Sequence, residues 1–341
     1  MTCPIRRGSP RKTIAAMSTK TPARRPSPAL ILLIPLVAAL VLTLFAWPQA
    51  RMEPRDLPVG VAGPAVPAQA IEHKLEAQDG AFEVHRYADE AAARDAIADR
   101  EIYGAIALAP SGAKALTATA ASPAVAQMIT NAAHESPGRS VQVEDVAPAR
   151  RVTALSAAIL PLILAGALTA LISGLFATGG LRRAGVVVAG ALLVGPAAAL
   201  IVQNWLGVVD GSWAANAAAL SLTVLAVAAT VAGLEALLGH AGTLLGVLTM
   251  ILIGNPFAGV ATGPEMLPRP VGDLGQLLPP GAGGNLLRST GYFDGAAAGS
   301  HIAVLATWAA AGIAAMLAAT VVSRRRAASR AQVVATAGGA S

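Results

Sequence analysis

Six stretches of this chain are long and apolar enough to cross a bilayer, and this limits its fold more than any other feature. They are 29–47, 152–176, 184–205, 213–238, 241–261 and 301–322. About 20 apolar residues in helix span a hydrocarbon core of about 30 Å. Backbone polar groups in lipid need partners within the segment, so each stretch is expected as a helix. Pro35, Pro161 and Pro196 fall inside three of them; in lipid such prolines kink a span without disqualifying it. Composition agrees: the 341 residues are 55% hydrophobic and only 13% charged, with a mean hydropathy of +0.60. Soluble domains carry about 25% charged residues. Disorder is excluded, because low charge with high hydropathy opposes its signature.

The chemistry-bearing residues are sparse. Cys3 is the lone cysteine, which excludes a disulfide framework or a cysteine zinc site. The five histidines show no metal-ligand spacing, and no GxxxxGK[ST] or GxGxxG is present. No enzyme activity, cofactor or metal is expected.

Basic residues set the orientation. With the amino terminus inside, the cytoplasmic parts are 1–28, 177–183, 239–240 and 323–341. They hold 13 of the 25 Lys and Arg residues, among them Arg24, Arg25, Arg182, Arg183, Arg324, Arg325 and Arg326, and no acid. This bias places both termini in the cytoplasm of a multi-pass protein of the cell membrane. A basic cluster beside a span reads as a topology and lipid-headgroup signal; nucleic acid is not expected. The first apolar run exceeds a signal-peptide core of 7–15 residues and is read as an uncleaved anchor.

Residues 48–150 form a different kind of segment, with 14 of the 19 acids. The pattern predicts strands at 57–61, 82–87, 102–108, 115–120 and 141–146. Helices are predicted at 66–78, 89–100, with Asp89 as N-cap, and 123–135. Strands alternating with short helices predict an extracytoplasmic α/β domain. His73, His85 and His134 read as surface groups, and Ser111 sits in a turn without a nucleophile elbow.

Two features of the membrane segments stand out. Glu235 is the one acid inside a span. An intramembrane carboxylate is costly and marks either a transport path or a structural anchor; one turn from the cytoplasmic end, it is expected to reach the headgroups or to pair with Arg182 or Arg183. The last outward loop, 262–300, is rich in Pro, Gly and Leu. It is expected as non-helical backbone that dips into the outer leaflet or caps the bundle, with Pro279, Pro280, Gly281, Gly283 and Gly284 as an outer gate.

The layout as a whole is a polytopic α-helical membrane protein: one amino-terminal span, an inserted α/β domain, then five clustered spans. Its carriers are LPVGVAGP (57–64), AARDAIADREIYGAIAL (92–108), NPFAGVATGPEMLP (255–268) and LGQLLPPGAGGNLLRSTGYFDG (274–295). In these it resembles the ABC type-2 exporter permeases, in the phage-infection-protein-like branch. The resemblance implies export of a hydrophobic or amphipathic molecule, a separate ATPase and a homodimeric bundle in the lipid bilayer. The loop at 178–183 is short for the coupling helix of that family. A different class stays open: a non-transporting scaffold or receptor whose outward domain binds envelope or secretion partners.

Overall fold

The computed structural model describes residues 28–109, 112–134, 141–149 and 151–338. Arg24 and Arg25 lie outside the described residues, as does Ser111. Helix α1, Pro28–Ala50, begins in one compact unit and from Val41 continues into a second that holds the rest of the described chain.

The first part of the second unit is a five-stranded sheet with three helices. In chain order it runs β1 (Leu57–Ala62), α2 (Ala65–Glu76), β2 (Phe82–Tyr87), α3 (Glu90–Ala98), β3 (Gly104–Ala109), β4 (Gly112–Thr117), α4 (Pro123–His134) and β5 (Gln142–Asp145). The strand order is β2-β1-β3-β4-β5. β1 lies parallel to β2 and β3, β3 and β4 form an antiparallel pair, and β5 runs parallel to β4. Strand β1, paired on both edges, is buried on both faces, as expected of a parallel strand covered on each side. Asp89 caps α3 by accepting the Ala92 N–H at 2.9 Å. Ser122 caps α4, accepting from Val125 N–H at 3.2 Å while its own hydroxyl donates to Thr262 O at 2.7 Å.

The second part is helical: α5 (Val152–Phe176), α6 (Gly180–Ala199), α7 (Trp213–Leu238), α8 (His240–Leu248), α9 (Val271–Gln276), α10 (Pro279–Tyr292) and α11 (Ala298–Gly338). Past Pro196, α6 continues in π geometry to Trp205, and α8 does the same to Gly254. Among the described residues four helices are long and apolar enough to cross a membrane: Ala154–Phe176, Gly180–Trp205, Trp213–Leu238 and Ala298–Ser329. The chain has the build of a multi-pass membrane protein. The stretch expected as a span at 241–261 is helical only from His240 to Gly254. At 1.5 Å per residue it reaches about 22 Å, short of the core thickness. Asn255-Pro256 and the positive-φ glycines Gly259 and Gly263 stop it there.

α7 is the hub, with 78% of its apolar window buried against 22% for α11. Its neighbours reach it through glycines. A Cβ at Gly195 of α6 would fall 1.9 Å from Ser221 Oγ, one at Gly312 of α11 2.2 Å from the Ala229 backbone, and one at Gly166 of α5 2.8 Å from Val227. Small residues thus bring backbones together where lipid supplies no hydrophobic driving force. Thr223 and Thr230 on α7 return their hydroxyls to carbonyls one turn back, at 2.8 and 2.7 Å, so burial leaves neither unpaired.

Sheet and bundle share their cores. Phe293, just after α10, joins Ala62, Ile97, Ile102 and Leu116 in one buried cluster. Met266 joins Leu57, Val59 and Val125 in another. Burying Phe293 alone contributes about 1.5–3 kcal/mol. Glu53 N–H and Arg55 N–H donate to Met266 O and Glu265 O at 3.2 and 3.0 Å, a second seam between the two parts.

One further expectation is corrected. The stretch 262–300 is not a non-helical loop: it holds a 3-10 turn at Pro264–Met266, then α9 and the 14-residue α10. The segment after 322 is helical: α11 runs on through Arg324, Arg325 and Arg326, all exposed, to Gly338.

Candidate functional site

Nearly every residue of α10 is buried, although its composition is that of a loop. Pro279 and Pro280 occupy its first turn, where the missing N–H groups cost nothing. The glycines then permit close contact. A Cβ at Gly281 would meet Gly275 O at 2.2 Å, at Gly283 Thr223 Cγ2 at 2.4 Å, and at Gly284 Val260 Cγ2 at 2.5 Å. All five residues expected as an outer gate therefore lie in the first two turns of α10, packed against α7, α9 and the 258–260 backbone.

The next turn carries polar groups. Asn285, Arg288 and Ser289 are spaced to share one helix face, and all three are buried. Arg288, 1% exposed, donates from Nε to Ala120 O at 2.9 Å, from Nη1 to Asn285 Oδ1 at 2.6 Å, and from Nη2 to Val260 O. A second guanidinium arrives from the sheet. Arg100 follows α3 with φ +62, in the left-handed region that ends helices, while Glu101 N–H donates back to Ala96 O at 2.9 Å. Its Nη1 donates to Asn285 O at 3.2 Å and to Ser289 Oγ, and its Nη2 to Asn285 Oδ1 at 3.1 Å. Its guanidinium also lies 5.5 Å from the Phe293 ring centroid, within cation–π range.

Two cations thus share one neutral acceptor, Asn285 Oδ1. Asn285 is held in turn by Gln276, whose Oε1 accepts from Nδ2 at 2.6 Å and whose Nε2 donates to Ala258 O at 3.0 Å. Among the described residues neither arginine forms a salt bridge. Burial pushes the Arg100 guanidinium down from its usual range, with Tyr103 and Glu265 opposing that shift. Tyr103 donates to Glu265 Oε2 at 2.7 Å; burial first, then the Glu265 charge, pushes this phenol up. Unpaired buried charge is costly, and here it stands where the sheet meets α10.

At the second charged site the structure gives Glu235 an arginine partner, one of the anchors expected for it. Arg183 Nη2 donates to Glu235 Oε2 at 2.5 Å, and its Nε to Ser173 Oγ at 3.3 Å. Gly174 makes the room, since a Cβ there would come within 3.0 Å of both charged groups. Arg182 is exposed and outside the pair. The two sites are separate: Glu235 does not meet the α10 residues.

His73 and His85 lie near Glu76 and Glu83, at 3.6 and 3.4 Å. Among the described residues no three His, Cys, Asp or Glu groups stand together as metal ligands. Sequence reasoning missed Arg100, Asn285, Arg288 and Ser289. The available signal was Arg288 itself, a lone cation in an apolar stretch. Arg100 was hidden in the charged run Asp99–Glu101. Compared with known proteins, the chain matches no family model, no curated protein and no solved structure.

Proposed function

We propose that this chain is a membrane permease of the type-2 exporter kind that moves a hydrophobic or amphipathic molecule outward. In this reading α1 is a fifth span, α8 with the non-helical backbone after Gly254 makes the sixth crossing, the sheet faces outward, both termini are cytoplasmic, and two copies work with a separate ATPase. The observation that carries it is α10: a short, glycine-lined helix buried beside α7 and tied by arginines to the sheet. A helix that enters the bundle without crossing it, packed by small residues, is suited to moving against its neighbours. Trp47, Trp205 and Trp213, all exposed, stand at the ends of α1, α6 and α7 that this orientation places outside, as an interfacial belt would.

The test is uptake of a fluorescent amphipathic dye by inverted vesicles from cells expressing the chain with a co-purifying ATPase. The reading expects ATP-dependent uptake, lowered by Gly283→Ala. A second reading, a non-transporting scaffold or receptor, is favoured by the connection between α5 and α6. It is only three residues, Ala177–Gly179, little surface for an ATPase. Absence of uptake in vesicles holding folded protein would turn the choice to that reading.

A further inference from the structure

A cleft of about 740 Å³ opens where the sheet meets the ends of α6, α7 and α10. Its apolar walls include Val146 and Pro148 from the sheet side and Tyr292 and Ala296 from the bundle side. Three carboxylates line it from three separate places: Asp99 at the end of α3, Asp210 between α6 and α7, and Asp294 after α10. All three are exposed, and none has an ion-pair partner among the described residues. No Lys, Arg or His among the described residues lines the cleft. Arg100 and Arg288 stand behind it, their guanidiniums bonded to Asn285, Ser289, Ala120 and Val260.

We propose that this cleft binds an organic cation with an apolar body. Its volume is in the range of about 300–1,000 Å³ typical of small-molecule sites. The unpaired carboxylates complement positive charge, while the partly exposed Val146, Pro148, Tyr292 and Ala296 complement an apolar body. A bare metal ion does not fit, because no three such groups converge among the described residues; the charges are spread for a larger occupant. The proposal deepens the export reading by naming its substrate class, and rests on that reading for what the bound molecule is for.

The experiment uses the full-length protein in nanodiscs of zwitterionic lipid, with tetraphenylphosphonium as probe and empty discs as the blank. An aromatic anion that does not pair tightly with it, benzenesulfonate, is the competitor. The comparison variant carries Asp99→Asn, Asp210→Asn and Asp294→Asn. Asn tolerates the φ of +49 at residue 294. Saturable binding is expected, weakened about tenfold or more in the triple variant, with no competition from the anion and an unchanged Tm. If the triple variant unfolds, Asp210→Asn alone must weaken binding, and salt must weaken it in the native protein. No saturable binding above the blank, full binding after neutralisation, or displacement by the anion would overturn the proposal. Binding lost with dye uptake kept sinks the cleft alone; uptake lost with binding kept sinks the export reading alone.

Discussion

Asn285 has more to hold than either arginine it serves. Its Oδ1 accepts from both Arg288 and Arg100, so Asn285→Ala strands two charged donors, each at about 1–3 kcal/mol. Arg288→Met removes one charge, relieves the like-charge crowding and leaves Asn285 to Arg100. Thermal unfolding in detergent is therefore expected to lose more from Asn285→Ala than from Arg288→Met; the reverse order would show that Asn285 does not hold the pair. The Arg183–Glu235 pair makes a different demand. Glu235→Gln and Arg183→Gln should each cost about 1–3 kcal/mol, and the double variant less than their sum. Dye uptake per folded molecule should survive Glu235→Gln. Lost uptake with unchanged Tm would move Glu235 into the transport path. This pair was readable in sequence because an isolated acid in an apolar run needs a partner, and few are near. The Arg100–Asn285–Arg288 group was not, because its members lie about 185 positions apart and meet only through tertiary packing.

At the scale of elements, the long apolar helices and most strands could be read from hydropathy and turn residues alone. Asp89 and the alternation around it marked α3 within a residue or two. α10 could not be read so, because local propensity argues against it: two prolines and three glycines in six residues describe a loop. The helix persists because each glycine faces a neighbour that would reject a side chain. Gly283→Ala should therefore lower Tm and cost about 1–3 kcal/mol through overpacking against Thr223. At Gly185 in α6 an added Cβ would meet nothing within 4 Å, so Gly185→Ala should leave Tm unchanged or raise it, by up to about 1 kcal/mol of helix propensity. Equal effects at the two sites would argue that α10 is not close-packed. α8 shows the opposite failure: apolar composition ran on past Gly254, and Asn255-Pro256 with the positive-φ glycines beyond it ends the helix.

At the scale of the whole molecule, orientation rests on the arginine bias, and it has a direct measurement. In a Cys3→Ser background, Gln78→Cys on the exposed sheet side should react with an impermeant thiol reagent in intact cells. His240→Cys, exposed at the start of α8, should react only after the membrane is opened. The opposite pattern would invert the topology. The fact that sheet and bundle share buried clusters sets a timetable for synthesis. Ala62 and Phe293 pack in one cluster, yet the ribosome makes them about 230 residues apart. At about 5–20 residues per second, the sheet waits on the order of 10–50 s with that cluster unfinished. Through that interval its open core is exposed to chaperones, proteases and neighbouring nascent chains, so the last third of the gene governs how safely the first third matures.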